Sequence, residues 1–364
     1  MTGTLPAVSV VDAAPGSPAP AAYAWPSGGQ AAVALPVAGY STQSGPEAPV
    51  PVASLTKLMT AYVILRDHPL STGTQGPDIL ISAADQADFD TDTVSDQANV
   101  ELEQGEVLTE YQLLEGLLVH SANDFAYTLA TWDAGSLTAF VQEMNSAAAS
   151  LGMTQSHFAD ASGDDPSSES TAADLLKVAS ADMANPVFAG IVKMPAVTLP
   201  LAGTVTSYTP LLGTPGVVGV KSGFTSAAGG GDVLAYETQV GGRTVLALAA
   251  VVGQEGPTVL PRAGQAALTL AQEALTHLVA TTVVAEGDVV ADVRAGDRTV
   301  PANAGEAATV VALTGTTVHQ ELRVTHVPKQ GAPGGTQIGT DTFVVGSRGT
   351  EKVTVPVLTS TKLP

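Results

Sequence analysis

The sequence predicts an α+β fold, here a mixed α/β domain followed by a small all-β domain at the C-terminal end. Helical spacing of apolar residues begins at Ala53 and recurs over much of the 364-residue chain. Two strand-like runs, VLAYETQV and RTVLALAAVV, flank Gly241-Gly242, which is a strong signal of a β-hairpin. After about residue 280 the chain consists of short Val- and Thr-rich runs between turn residues, which is typical of a β domain.

The predicted elements follow in chain order. Weak alternation in QAAVALPVAGY predicts a first strand, and a helix is expected from Ala53. The stretch LTEYQLLEGLLVHSANDFAYTLATW predicts two helices, because Thr109 and Gln112 form a capping box ahead of a leucine stripe. STAADLLKVASAD predicts a further helix with a Ser/Thr cap, and RAGQAALTLAQEALTHLV predicts another after the hairpin.

Composition divides the chain into three parts. Residues 1–28 are rich in Ala, Pro and Gly and are predicted to form a flexible tail. Residues 29–278 carry the helical patterns and the hairpin and are predicted to form the main domain. Residues 279–364 are predicted to form the C-terminal β domain.

Charge and residue usage exclude several classes of function. The formal net charge is −21 with only 14 Lys and Arg, which disfavours nucleic-acid binding and a polybasic membrane patch. Cysteine is absent, and the six histidines show no zinc-binding spacing. We therefore expect no metal and no cofactor.

Membrane attachment is not expected within this sequence. No apolar stretch reaches the roughly 18 residues of a membrane span, and the first fifty residues lack the pattern of a signal peptide. If the protein is anchored, we expect the anchor to lie outside this sequence or in a partner.

The segment PVASLTKLMTAYVIL places a serine and a lysine one helical turn apart. Lys57 is the first cationic residue of the chain and follows Ser54 by three positions, so the two side chains share one helix face. Burial among apolar neighbours would lower the pKa of the lysine and make it a base for the serine, near the helix N-terminus. The alternative interpretation is a helix cap followed by a lysine whose amine reaches solvent.

Two further motifs follow in the same order along the chain. HSAND contains Ser121 and Asn123, and GVVGVKSGF contains Lys221, Ser222 and Gly223. Each has a structural alternative, namely a capping box for HSAND and an ordinary strand end for the lysine motif. Each is also the single match of its type, and the motifs follow Ser54 at intervals of 67 and then 100 residues.

Together the three motifs resemble the signature of penicillin-binding proteins and serine β-lactamases. The sequence is more similar to the low-molecular-weight D-alanyl-D-alanine carboxypeptidases, through PVASLTKLMT, the GEVLTEYQLLEGLLVHSANDFA stretch, HFADASG and GVKSGFTSAAGG. The resemblance spans about residues 30–280, and a fainter one covers the end of the chain. It implies a transpeptidase/β-lactamase-like antiparallel sheet flanked by helices, with an all-helical subdomain beside it.

The resemblance also implies roles for the motif residues. Ser54 would attack the carbonyl between two terminal D-alanines and Lys57 would take its proton, while Ser121 would bridge Lys57 and the leaving amine. Substrate binding would fall to a second set of residues, with backbone N–H groups of Ser54 and Phe224 as the oxyanion hole. That set is Asn123, Lys221, Ser222, Gly223, Phe224 and Arg262.

The implied function is a serine-type carboxypeptidase that trims the terminal D-alanine from peptidoglycan stem peptides and is acylated by β-lactams. Such an enzyme would work in the extracytoplasmic cell envelope. Ala122, Phe125, Ser222 and Phe224 depart from the family's commoner residues, which bears on substrate preference more than on reaction type.

Two alternatives remain beside this interpretation. A class A-like β-lactamase would need a Glu-x-x-Leu-Asn loop, and DASGDDPSSESTAADLL does not contain it. A non-enzymatic envelope scaffold or sensor would have no chemical need for all five motif side chains. A Ser-His-Asp hydrolase is disfavoured because the chain has no Gly-x-Ser-x-Gly elbow.

Overall fold

The computed structural model describes residues 10–11, 23–295, 298–325, 331–345 and 351–361. The main domain is built on a five-stranded antiparallel sheet in the order β10-β11-β12-β2-β3. Its strands are β2 Gln30–Leu35, β3 Tyr40–Gln43, β10 Val217–Thr225, β11 Gly229–Val240 and β12 Arg243–Gln254.

Helices form a subdomain on one face of this sheet, and one long helix covers the other face. The helices are α1 Thr56–Asp67, α2 Ala83–Val94, α3 Glu110–Val119, α4 Asn123–Ala134, α5 Leu137–Ser150, α6 Ala172–Met183, α7 Pro186–Ile191 and α8 Val259–Leu275. Short paired strands connect them: β4 Val50–Pro51 with β7 Glu169–Ser170, β5 Asp78–Leu80 with β6 Val107–Thr109, and β8 Ala196–Leu199 with β9 Gly203–Thr206.

Alternation of side chains along the central strands explains why both faces are covered. Leu248 and Ala250 of β12 belong to the core beneath the helical subdomain, whereas Ala249 and Val251 belong to the core beneath α8. Successive residues of a strand point to opposite faces, so an apolar run with no polar face requires cover on both sides. The predicted antiparallel sheet with flanking helices is confirmed.

The predicted hairpin and helix caps are present in the structure. Gly241 and Gly242 have φ of 58° and 79° between paired β11 and β12, as expected of a two-residue hairpin turn. Thr109 and Gln112 form the reciprocal capping box of α3. Thr171 caps α6. The helix predicted from Ala53 begins as a 3₁₀ turn over Ala53–Leu55 and becomes α-helical at Thr56.

The C-terminal part of the chain is all β, as predicted from its short Val- and Thr-rich runs. Its strands are β13 Leu278–Val284, β14 Val289–Ala295, β15 Arg298–Ala304, β16 Ala308–Leu313, β17 Val318–Val324, β18 Gln337–Val345 and β19 Glu351–Thr359. β13 pairs with β16, and the others form one sheet in the order β17-β18-β19-β15-β14. An ion pair between Arg243 and Glu351 joins the hairpin of the main domain to β19.

The structure describes residues 10–11 and 23–28 of the segment that is predicted to form a flexible tail. β1, Val10–Val11, pairs with β17 at the edge of the C-terminal sheet. Tyr23 is buried against α8 and the sheet, and the backbone N–H of Ala24 donates to Glu273. Residues 23 and 24 are therefore attached to the main domain by burial of Tyr23 and by the bond to Glu273. Within the described residues, no helix has the length and apolar character needed to cross a membrane.

Asp182 of α6 is a buried carboxyl group that leads to a stability prediction. It is 2% exposed, and its Oδ2 has no hydrogen-bond partner among the described residues. Burial raises the pKa of Asp182 well above its usual range. A carboxyl group whose pKa is higher in the folded than in the unfolded protein destabilises the folded state increasingly as the pH rises above its unfolded pKa of about 4. We expect Asp182→Asn to raise the free energy of unfolding by about 1–3 kcal/mol at pH 8 and by little at pH 4.5.

Urea denaturation at the two pH values measures this effect, and Asp174 on the same helix is the matched control. Asp174 is equally buried, but it accepts hydrogen bonds from Gln155 N at 2.8 Å, Ser156 Oγ at 2.9 Å and Lys177 Nζ at 2.6 Å. Asp174→Asn should therefore destabilise the protein at pH 8. A loss of stability in Asp182→Asn at pH 8 would contradict the prediction.

Candidate active site

The 3₁₀ turn before α1 presents Ser54 at the edge of the helical subdomain. Ser54 is partly exposed, while Ala53, Leu55 and Thr56 around it are buried. Lys57 lies one turn further on, and its Nζ is 3.1 Å from Ser54 Oγ. The spacing of three residues therefore places the amine directly against the hydroxyl.

Lys57 is enclosed by protein. It is 0% exposed, although a lysine whose amine reaches solvent would show exposed atoms at its tip. Its Nζ also donates to Asn123 Oδ1 at 2.6 Å and to the Ser162 carbonyl at 2.9 Å. A neutral amine has two N–H donors and one lone pair. It can keep these two bonds and still accept the proton of Ser54.

Burial changes the basicity of the Lys57 amine. It lowers the pKa of Lys57 to about 8, against the opposing charges of nearby carboxylates, of which Asp160 has the largest effect. At neutral pH roughly a tenth of the molecules then hold the amine in its neutral form. A base whose pKa lies near the working pH is present partly in its neutral form and is still basic enough to accept a proton.

The second motif meets the third across the cleft. Lys221 Nζ donates to Ser121 Oγ at 2.9 Å and to the Ser222 carbonyl at 2.8 Å. The sequence interpretation had Ser121 bridging Lys57, but its hydrogen-bond partner in the structure is Lys221. Ser121 has a φ of 65°, a conformation that non-glycine residues rarely adopt and that is often found at functional sites.

The capping-box interpretation of HSAND is wrong. α4 has Ala122 at its N-cap, without a side-chain cap bond. Asp124 instead accepts from the backbone N–H of Val100, with its two oxygens at 3.3 and 3.4 Å. The Ser121 hydroxyl does not cap α4 and instead contacts Lys221.

Lys221 is a second lysine whose ammonium form is disfavoured. It is 1% exposed, and burial together with the charge of Lys57 lowers the pKa of Lys221 well below its usual range. Asp232 on the neighbouring strand is the opposing influence. Two buried amines on either side of one cleft thus bias each other toward a single positive charge.

Strand β10 brings its remaining motif residues alongside Ser54. A Cβ on Gly223 would lie 2.9 Å from Ser54 N, so this position needs glycine for the strand to approach the turn. Ser222 is 3% exposed and donates to the Tyr208 carbonyl at 2.9 Å. Phe224 follows as an exposed residue, 55% accessible.

Arg262 occupies the first turn of α8, outside the hydrogen-bonded cluster around Lys57 and Lys221. Its Nη1 donates to the Glu255 carbonyl at 2.6 Å. That bond stabilises the loop between β12 and α8. The predicted contact of Arg262 with a substrate carboxylate stays a prediction.

One loop of the site carried no prediction from the residues alone. Residues 160–168 pack against α1, where Ser162 supplies the carbonyl that Lys57 binds and its hydroxyl contacts Tyr127 Oη at 2.8 Å. The signal in the sequence was the HFADASG segment, which contributed to the resemblance without a role for any of its residues.

A groove of about 620 Å³ opens beside Phe224. The turn between β10 and β11 forms one wall, and the ends of β2 and β12 form the other. The groove begins next to Pro51, three residues before Ser54, and its volume is in the range of ligand-binding pockets.

The described residues contain one cluster of carboxylates close enough to share a cation, formed by Asp67, Asp133 and Glu143. Arg66 already pairs there with Asp67 at 2.5 Å and with Glu143 at 3.4 Å. The cluster is separate from the bonds around Lys57.

Comparison with known proteins gives a consistent result. Residues 42–253, more than half of the chain, match the family model for D-alanyl-D-alanine carboxypeptidases, peptidase S11. The chain is 38% identical over 164 residues to the D-alanyl-D-alanine carboxypeptidase DacB2 of Mycobacterium tuberculosis, covering 41% of this chain and 56% of that protein. It is 31% identical over 208 residues to the D-alanyl-D-alanine carboxypeptidase of Streptomyces sp. strain K15, covering 53% of this chain and 69% of that protein.

Solved structures agree with these matches. The DD-transpeptidase of Streptomyces K15 is similar with a TM-score of 0.60 and 26% identity, covering 69% of this chain and 99% of that one. PBP3 of Streptococcus pneumoniae, described as a peptidoglycan synthesis regulatory factor, has a TM-score of 0.67 at 23% identity. It covers 92% of this chain and 98% of its own length, which extends the likeness in fold to the C-terminal domain.

Proposed function

Because this chain belongs to the D-alanyl-D-alanine carboxypeptidase family, peptidase S11, we propose that it removes the terminal D-alanine from peptidoglycan stem peptides. The bond between the last two D-alanines is cleaved through an acyl-enzyme on Ser54. The observation that carries the proposal is the buried amine of Lys57, 3.1 Å from the Ser54 hydroxyl.

Acylation begins with proton transfer from Ser54 Oγ to neutral Lys57. The new oxygen nucleophile attacks the carbonyl carbon of the penultimate D-alanine and forms a tetrahedral oxyanion. Backbone N–H groups of Ser54 and Phe224 stabilise that oxyanion, as the position of β10 against the nucleophile turn favours. Asn123 holds the Lys57 amine in place through its Oδ1 at 2.6 Å.

Collapse of the intermediate expels the terminal D-alanine, whose nitrogen needs a proton. Ser121 is suited to donate it, because its hydroxyl contacts the Lys221 amine at 2.9 Å and can be reprotonated from there. When Lys57 is neutral, the single positive charge of the two amines is proposed to lie on Lys221, where it attracts the carboxylate of the leaving residue, and Ser222 and Arg262 are proposed to assist. Water then attacks the acyl-enzyme and releases the shortened peptide. Ser54 Oγ regains the proton held by Lys57, and the proton lost by the water restores Lys221.

The proposed substrate places the enzyme in the extracytoplasmic cell envelope, where peptidoglycan is found. β-Lactams are proposed to acylate Ser54, because their ring amide mimics the D-alanyl-D-alanine bond. No metal, cofactor or nucleic acid takes part in the proposed reaction.

Penicillin tests the proposal directly. We expect one covalent adduct per chain by intact mass, which peptide mapping places on Ser54 and which Ser54→Ala abolishes. The adduct should be long-lived, because residues 160–176 lack the Glu-x-x-Leu-Asn pattern that supports rapid deacylation. A label on another residue would overturn the assignment of the nucleophile. Rapid release of hydrolysed penicillin would instead identify a β-lactamase, and release of D-alanine from a pentapeptide tests carboxypeptidase action.

A further inference from the structure

The loop over residues 160–168 is organised around one carboxylate, that of Asp160. Its Oδ2 accepts from the backbone N–H groups of Gly163 at 2.8 Å and Asp164 at 2.9 Å, and from Ser162 Oγ at 2.7 Å. Its Oδ1 accepts from Ser168 Oγ at 2.5 Å, which closes the loop. Hydrogen bonds to a charged carboxylate are short and strong, so these bonds hold the loop around Asp160.

Three successive residues of the same loop contact α1 and the 3₁₀ turn before it. The Ala161 carbonyl accepts from Thr60 Oγ1 at 2.6 Å, and the Ser162 carbonyl accepts from Lys57 Nζ at 2.9 Å. Gly163 is packed against the Ala53 carbonyl, next to the nucleophile. The position of the Ser162 carbonyl, and with it one of the bonds of Lys57, therefore depends on the loop that Asp160 holds.

Asp160 also contributes charge to a region with few cations. The charged groups that interact electrostatically with Lys57 lie on several elements. They are Asp92 on α2, Asp124 on α4, Asp160 and Asp164 on the loop, and Lys221 on β10. Among the carboxylates, Asp160 has the largest effect on the pKa of Lys57 and raises it. Burial raises the pKa of Asp124 to about 8, so Asp124 is largely protonated at neutral pH, and it raises the pKa of Asp92 to about 6.

We propose that Asp160 is a positioning residue for acylation, which holds the Ser162 carbonyl against Lys57 and supplies the main negative charge that the Lys57 amine experiences. This rests on the proposed role of Lys57 as the base for Ser54. The side chain acts through its charge and through the loop and does not contact the substrate.

The pH dependence of acylation tests this proposal. In the unchanged protein, the rate of Ser54 acylation by penicillin should rise with pH and reach half its maximum near pH 8, where Lys57 loses its proton. Asp160→Asn keeps the shape of the side chain but removes its charge. The charge of Asp160 then no longer counteracts the lowering of the Lys57 pKa by burial. We expect the midpoint to move to lower pH by roughly 0.5–1 unit. If Asp160→Asn does not fold, Asp160→Ser carries the same expectation.

Two control variants separate charge from loop structure. Ser168→Ala removes the 2.5 Å bond to Asp160 without changing charge, and it should leave the midpoint near pH 8 even if the maximal rate falls. Asp164→Asn removes the same charge from an exposed side chain of the same loop, where solvent screens it, and should shift the midpoint far less.

Each result bears on the proposal separately from the function. An unmoved midpoint in Asp160→Asn, or an equal shift in either control, would overturn the role of Asp160. Absence of any penicillin adduct on Ser54 in the unchanged protein would overturn the proposed function itself. Asp160→Glu, which retains the charge, should keep a midpoint near that of the unchanged protein.

Discussion

Replacement of Lys57 by alanine is expected to slow acylation of Ser54 by penicillin about 10²–10⁴-fold, the usual contribution of a positioned base. The amine is buried, lies 3.1 Å from the hydroxyl, and has a pKa lowered to about 8. Without it, the proton of Ser54 has no acceptor at that position. A quenched time course analysed by intact-mass spectrometry measures the acylation rate, and circular dichroism shows whether the variant is folded.

Lys57→Met and Lys193→Ala serve as controls for this result. Lys57→Met retains most of the side-chain volume and should show the same loss, which separates chemistry from cavity formation. Lys193 is an exposed lysine paired with Glu237 at 3.2 Å, and Ser54 of the Lys193→Ala protein should be acylated at the normal rate. Unchanged acylation in a folded Lys57→Ala protein would show that another group takes the proton.

Gly163→Ala is expected to disrupt the site from outside the catalytic motifs. Gly163 has a φ of 86°, and a Cβ at this position would collide with the Ala53 carbonyl and lie 2.7 Å from Thr56 Oγ1. The left-handed backbone costs alanine about 1–2 kcal/mol, and displacement of the turn adds to this. We expect a loss of about 3 kcal/mol or more in the free energy of unfolding and at least about tenfold slower acylation of Ser54.

Gly152→Ala is the matched control for this variant. Gly152 has a φ of 72°, but a Cβ there would meet no atom within 4 Å. The same substitution should therefore cost only about 1 kcal/mol of stability and leave acylation unchanged. Equal effects of the two substitutions would show that backbone strain alone, and not displacement of the nucleophile turn, limits Gly163→Ala.

Local patterns in the sequence were sufficient for much of the fold. The hairpin at Gly241-Gly242, the capping box at Thr109 and the helix beginning after Thr171 each depend on residues within a few positions of one another. Such elements follow from turn geometry, capping and periodicity, which act over short separations. The proximity of Ser54 and Lys57 belongs to the same class, because one helical turn joins them.

Packing of distant segments decided the rest of the site. The sequence predicted that Ser121 lies beside a lysine. Only the tertiary structure shows that this lysine is Lys221, which is 100 residues away along the chain. The burial of Lys57, the arrangement of the 160–168 loop around Asp160, and the Glu255 carbonyl as partner of Arg262 also arise from tertiary contacts. A pKa depends on the dielectric and the charges around a group, and these are set by residues that no local pattern connects to it. The sequence alone thus predicted the side chains of the proposed reaction, whereas the tertiary structure determined their partners and their pKa shifts.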